Sequence, residues 1–229
     1  MDPTILPQVP QTTISVAGST ARFPVRRIYC VGRNYADHAL EMGGDPKSEP
    51  PFYFSKPADA LIEGGGDVPY PPQTSKLHHE VELVVALGSG GADIPVAEAL
   101  DCVWGYGVGI DLTRRDMQAA AKDQGRPWDL SKGFDNSAVI GPIHPVSAVG
   151  HPTEGTVSLS VNGQTKQSGT LSQMIWGIPD VISVLSQSVA LAPGDLIYTG
   201  TPSGVGALER GDVCEVALAG LGGYVVKIV

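Results

Sequence analysis

The sequence predicts a strand-dominated α+β fold, and two observations carry that prediction. Turn formers are abundant, with 29 Gly and 19 Pro among 229 residues, which favours many short segments over a helical bundle. Apolar runs of strand length recur along the chain between turn signals, whereas only three stretches read as helices.

Taken in order, strands are expected at Arg27 to Val31, Pro51 to Ser55, Val81 to Leu87 and Val103 to Ile110. Thr156 to Val161 ends at Asn162-Gly163, the dipeptide a tight hairpin turn prefers, so it should pair with Gln164 to Ser168. Asp195 to Thr199, Val213 to Leu218 and Tyr224 to Ile228 complete the set, the last ones fed by turns at Ala192-Pro193-Gly194-Asp195 and Glu209-Arg210-Gly211-Asp212. Helices are expected over Tyr35 to Met42, Leu112 to Asp123 and Pro179 to Gln187, where Pro179 suits a first helical position. The loop-rich stretches Gly43 to Pro51 and Asp59 to Pro72 flank the first strands, where either could border a cleft. A chain of this length buries one sizeable core, giving a single domain over 25–229 preceded by an N-terminal arm, 1–24.

Charge and cysteine usage narrow the function. The net charge is −9 and basic residues cluster only at Arg26-Arg27 and Arg114-Arg115, which argues against a nucleic-acid partner and for a small-molecule substrate. Met1 to Gln11 has no basic segment leading into an apolar core, and no apolar run approaches bilayer length, so a cytoplasmic protein without a membrane partner is expected. Cys30, Cys102 and Cys214 are far apart within apolar segments, as reduced core cysteines are. There is no C-x-x-C pair, no H-E-x-x-H zinc motif and no G-x-S-x-G elbow.

Candidate chemistry centres on Leu77 to Leu83, LHHEVEL. Residues two apart in a strand share a face, so Glu80 and Glu82 either decorate a wet face or converge on one point. Convergent carboxylates repel unless a cation lies between them, and their hard oxygens suit Mg²⁺, Mn²⁺ or Ca²⁺. Asp111, at the end of the apolar run from Val103, supplies a third carboxylate. His38 and Glu41 are three apart and share a helix face, the spacing by which a carboxylate orients an imidazole base, although a plain surface helix has the same pattern. Lys132 and Arg115 are the basic residues expected near the acidic cluster. Gly200 to Gly206 follows a strand and either presents backbone N–H groups to an anion or forms a plain turn.

These residues together resemble the fumarylacetoacetate hydrolase superfamily, in particular its small acylpyruvase-like and fumarylpyruvate-hydrolase-like members. The resemblance runs from Ile28 to Val229 through six motifs in family order. They are Val31-Gly32-Arg33-Asn34-Tyr35-Ala36-Asp37-His38, Lys56-Pro57, His78-His79-Glu80-Val81-Glu82-Leu83, Gly109-Ile110-Asp111-Leu112-Thr113-Arg114-Arg115-Asp116, Lys132-Gly133-Phe134-Asp135 and Thr199-Gly200-Thr201-Pro202-Ser203-Gly204-Val205-Gly206. It implies a mixed β-sandwich roll assembled as a homodimer. It further implies that Glu80, Glu82 and Asp111 ligate Mg²⁺ or Mn²⁺, with Ca²⁺ as a substitute. His38 and Glu41 would form the acid/base pair on a short helix that orders over the substrate. Lys132 would contact substrate oxygens near the metal, and Arg33, Arg115, Gln118 and Thr201 would line the substrate pocket.

The reaction so implied is hydrolytic cleavage of a carbon–carbon bond in a 2,4-diketo acid, with fumarylpyruvate of the gentisate route as the leading substrate. Oxaloacetate decarboxylation, and isomerisation or decarboxylation of a homoprotocatechuate-pathway dioate, are the rival activities. A non-catalytic metal-binding module is disfavoured, because a scaffold has no physical need for His38, Glu41 and Lys132 beside three acidic ligands. Substrate length should depend on Met42 to Glu49 and Asp59 to Pro72, where Lys47 is the one basic residue able to hold a distal carboxylate.

Overall fold

A computed structural model describes residues 10–41 and 50–229; the side chains of Ala39 and Glu41 also lie outside the described part. The chain enters as a short hairpin, β1 (Thr13–Ser15) and β2 (Arg22–Pro24), then forms β3 (Arg27–Gly32), α1 (Ala36–Glu41) and β4 (Phe52–Lys56). Short strands β5 (Leu61–Glu63), β6 (Asp67–Val68) and β7 (Leu77–His79) lead to the long pair β8 (Val81–Leu87) and β9 (Val103–Asp111). Then come β10 (Thr113–Arg114), α2 (Arg115–Asp123), α3 (Asp129–Lys132), β11 (Ala138–Ile140), β12 (His144–Pro145) and α4 (Val146–Val149). The hairpin β13 (Thr156–Val161) and β14 (Gln164–Thr170) precedes α5 (Ile178–Ser188), and β15 (Asp195–Tyr198), β16 (Gly206–Leu208), β17 (Val213–Leu218) and β18 (Gly222–Ile228) close the chain.

The strands assemble into a large mixed sheet, β4-β3-β15-β8-β9-β11-β5 with β12 beside β9, and a second sheet, β14-β13-β17-β18-β6. A three-stranded strip, β10-β7-β16, bears the residues that lead into the acidic motif. The fold is the strand-dominated α+β class read from the sequence.

Alternation along β8 shows how the large sheet is used. Leu83, Val85 and Leu87 enter the main core with Leu159, Val216 and Ile182, while Val84 and Ala86 face a second core with Ile28, Tyr198 and Ile143. Both faces are therefore dry, which is why β8 is an unbroken apolar run. The second core is completed by the N-terminal hairpin: Ile14 is fully buried and Phe23 is 6 % exposed, each burial contributing about 1.5–3 kcal/mol. Glu63 ties the hairpin down by accepting the Ser15 N–H at 3.0 Å and pairing with Arg22. All three cysteines are buried and unpaired.

Each expected strand is present, its ends shifted by at most two residues. One helix boundary is corrected. Residues 112–114 are not helical, because Thr113 and Arg114 pair with His78 and Leu77 and the Leu112 N–H is taken by Ser137 O at 3.0 Å. This ladder outweighs local helix preference and delays α2 to Arg115.

Candidate metal centre and active site

Strand register brings the three acids together. In the antiparallel β8·β9 pair, Val81 faces Ile110 and Glu82 faces Gly109, so the next step sets Glu80 opposite Asp111, whose N–H donates to Glu80 O at 2.8 Å. Glu82 and Asp111 thus share the face that carries Gly109. Glu80 is a break between β7 and β8 and not a strand residue, yet its side chain reaches the same place. Ligand oxygens of Glu80, Glu82 and Asp111 all lie within 4.8 Å of one another, and all three residues are buried. Gly109 is required by crowding: a Cβ there would stand 2.6 Å from Tyr198 Cε1 and 2.8 Å from Val139 O.

Three cations meet the acids. Lys132, 2 % exposed, donates from Nζ to Glu80 Oε2 at 2.8 Å and to Asp111 Oδ2 at 2.6 Å. Arg115 pairs with Glu80 and holds Gln118 Oε1 at 2.5 Å. Lys56 Nζ stands 2.7 Å from Asp111 Oδ1 as an ion pair and also donates to Leu112 O and Lys132 O. Burial opposes ionisation of Glu80, but Lys132, Arg115 and His38 overcome it and hold the carboxyl below the usual carboxylate range. Glu82 goes the other way: burial, then the Asp111 and Glu80 charges, push its carboxyl well up, while the Gly200 N–H at 2.7 Å opposes the rise. A buried all-oxygen donor set in which one carboxyl, Glu82, faces two acids that oppose its ionisation fits a hard divalent ion.

The remaining expected residues border one cavity of about 290 Å³, lined by Glu80, Glu82 and Lys132 and also by Arg33, His38, Arg115, Gln118 and Thr201. His38 is 5 % exposed. The side chain of Glu41, and Met42 to Glu49 with Lys47, lie outside the described residues. Thr201 lines the cavity with its hydroxyl already engaged, donating to Val81 O at 2.8 Å and accepting from Gln167 Nε2 at 2.8 Å. A substrate carboxylate can gain that proton only in place of Val81.

Three residues outside the expected site set hold it in shape. Lys56 appears only as part of a resemblance motif, and it is as buried as Lys132. Asn34, fully buried, spans the entry to α1 by donating to Trp176 O and Thr199 O at 2.9 and 2.8 Å and accepting the Trp176 N–H at 2.8 Å. Gln167 on β14 uses its whole amide: Oε1 meets His79 Nδ1 and the Val81 N–H at 2.8 and 3.0 Å, and Nε2 reaches Thr201 Oγ1 and Pro202 O, each at 2.8 Å. Burial lowers the pKa of His79, and burial with the nearby Arg115 charge lowers that of His78 to about 4. These two histidines buttress the acidic segment.

Fold and site together define a class: a mixed-sheet α+β protein that gathers three buried carboxylates, two of them lining a cavity with a lysine and a histidine, in a cluster suited to an oxygen-ligated divalent ion. The chain belongs to the fumarylacetoacetate hydrolase family, residues 27–229 matching its Fumarylacetoacetate (FAA) hydrolase C-terminal model. It is 46 % identical to the fumarylpyruvate hydrolase of a Ralstonia species over 73 % of this chain and 87 % of that one. It is 43 % identical to the mitochondrial oxaloacetate decarboxylase of Dictyostelium discoideum over 86 % of this chain and 90 % of that one. Among solved structures, fumarylpyruvate hydrolase from Pseudomonas aeruginosa in complex with Mn²⁺ and pyruvate superposes with a TM-score of 0.98 at 48 % identity, covering 99 % of each chain. Among the described residues no helix is long and apolar enough to cross a membrane.

Proposed function

We propose that this chain is a divalent-metal-dependent hydrolase that cleaves a 2,4-diketo acid, with fumarylpyruvate giving fumarate and pyruvate in gentisate catabolism as the leading reaction. The observation that carries the reading is the convergence of Glu80, Glu82 and Asp111 beside Lys132, with Glu80, Glu82 and Lys132 lining a cavity that His38 also lines. Similarity to fumarylpyruvate hydrolases over most of the chain supports it. Glu80, Glu82 and Asp111 would hold Mg²⁺ or Mn²⁺. When bound, the ion supplies positive charge beside the keto-acid oxygens, where electron density accumulates during cleavage.

The side chains then divide the work. His38, oriented by Glu41, takes a proton from water as its oxygen adds to the C4 carbonyl. The tetrahedral adduct collapses by breaking C3–C4, the electron pair passing to the pyruvate fragment as its enolate. The C4 side leaves as a carboxylic acid, and proton transfer to C3 completes pyruvate. Lys132 stabilises the developing oxyanion charge in a site where burial strengthens that interaction. Arg115, Gln118, Thr201 and Arg33 position the substrate. The active chain is a cytoplasmic homodimer in this reading, with residues 25–229 as the catalytic domain.

Likeness to an oxaloacetate decarboxylase favours a second reading, loss of CO₂ from C3 of oxaloacetate to give the same enolate. No water is activated in that reaction, so His38 separates the two. Assays of purified protein on fumarylpyruvate, acetylpyruvate and oxaloacetate, with products identified, test the proposal. Fumarate and pyruvate in equal amounts support hydrolysis; turnover of oxaloacetate alone contradicts it.

A further inference from the structure

The cavity continues beyond the acidic cluster along one face of α2. Arg115, Gln118, Ala119 and Lys122 all line it, the i, i+3, i+4, i+7 spacing of a single helical stripe. Arg115 pairs with Glu80 at the inner end. With a rise of about 1.5 Å per residue, Lys122 lies about 10 Å further out along the helix.

Arg33 lines the same cavity, its guanidinium 5.7 Å from the Phe52 ring centre. Phe52 and Phe54 each meet Trp128 edge to face, with ring centres 5.6 and 6.1 Å apart, and all three rings line the cavity. Gly32 permits this wall, because a Cβ there would collide with the Phe52 ring. Among the described residues neither Arg33 nor Lys122 has an ion-pair partner. Asp123 also lines the cavity, so these two cations are set against one carboxylate apart from the acidic cluster.

We propose that this outer half reads the far end of the substrate: Lys122 and Arg33 bind a second carboxylate, and Phe52, Phe54 and Trp128 form a slot for a flat, conjugated acyl chain. The inference rests on the diketo-acid reading above and deepens it to acylpyruvates that end in a carboxylate. Length agrees. A seven-carbon diacid built from bonds of about 1.5 Å spans about 8 Å between its terminal carbons, so a keto-acid end at the acidic cluster brings the far carboxylate within reach of Lys122. A methyl-ended acyl group leaves both cations without a counter-charge. Lys47, the residue the sequence offers for this task, lies outside the described residues; among the described residues, Lys122 and Arg33 on the cavity walls are suited to it.

The test is kcat/KM of wild type, Lys122→Met and Arg33→Met in Mn²⁺, on fumarylpyruvate and on acetylpyruvate. Lys122 is exposed, so its variant keeps the fold. The expected result is a preference for fumarylpyruvate in the wild type that falls about tenfold or more in each variant, mainly through KM, as loss of a charge-assisted hydrogen bond requires. Wild type active on both acids with an unmoved ratio in the variants overturns this inference and leaves the hydrolase reading standing. Wild type inactive on both overturns the reading and the inference together.

Discussion

Gln167 Nε2 donates to Thr201 Oγ1 at 2.8 Å, while Oε1 of the same amide accepts the Val81 N–H at 3.0 Å. One fully buried side chain of the second sheet therefore sets both the acidic segment and the loop after β15. Gln167→Glu keeps the acceptor and turns the donor into an oxygen facing Thr201 and Pro202 O. Gln167→Ala strands the Val81 N–H as well, at about 1–3 kcal/mol for a buried unmet group. The expected outcome is a kcat about tenfold lower for Gln167→Glu with Mn²⁺ affinity retained. Gln167→Ala should lose Mn²⁺ affinity and melt lower. Calorimetric Mn²⁺ titration and thermal melts check both, and wild-type behaviour of both variants would show that the amide positions nothing.

His38 lines the cavity almost fully buried, close enough to Glu80 to affect its ionisation. If it is the base, His38→Ala loses about 10²–10⁴-fold in kcat while still binding Mn²⁺. Unchanged fumarylpyruvate turnover in this variant would remove the base from the mechanism.

Glu82 is the acid whose ionisation burial and its two neighbours most oppose. A cation between the three relieves that repulsion, so Glu82→Ala should weaken Mg²⁺ and Mn²⁺ binding by at least about tenfold. Equal affinities in the two proteins, read by calorimetry, would place the ion elsewhere.

The acidic cluster was legible because its two parts rest on local patterns, a two-residue period and an acid at the end of an apolar run. What the pattern misread is Glu80 itself, which stands in a break and is held there by Asp111 N–H and by the Gln167 contact to Val81. Gln167 carries no local signal, since its partners lie 34 to 88 residues away in sequence. Lys56 entered only through the Lys56-Pro57 motif, and the packed fold sets its ammonium beside Asp111. The major strands could be read from apolar runs and turns. Two-residue and three-residue strands such as β6, β10 and β16 have too few residues for any period and exist only through pairing. The start of α2 was misplaced for the same reason, because Thr113 and Arg114 are claimed by β7.

Asp116 in the first turn of α2 accepts from Thr74 Oγ1 at 2.6 Å and from the Ser75 and Met117 N–H groups, each at 2.9 Å. Burial alone would raise its pKa, but these bonds win and lower it from 3.8. A carboxyl with a depressed folded pKa adds stability that is complete above its unfolded value and is lost as pH falls through the folded one. Wild type should therefore lose stability as pH drops below about 4, and Asp116→Asn should be less stable at pH 7 with a shallower acid limb in that range. Parallel acid limbs in denaturant titrations of the two proteins would contradict this.

Metal-dependent cleavage of a diketo acid is tested by the ultraviolet loss of fumarylpyruvate with Mn²⁺, repeated after EDTA and again after Mn²⁺ is restored. Fast loss with release of fumarate and pyruvate, abolished by EDTA and recovered with Mn²⁺, is the expected result. Loss at the same rate in EDTA, or no loss at saturating Mn²⁺ and Mg²⁺, would contradict it.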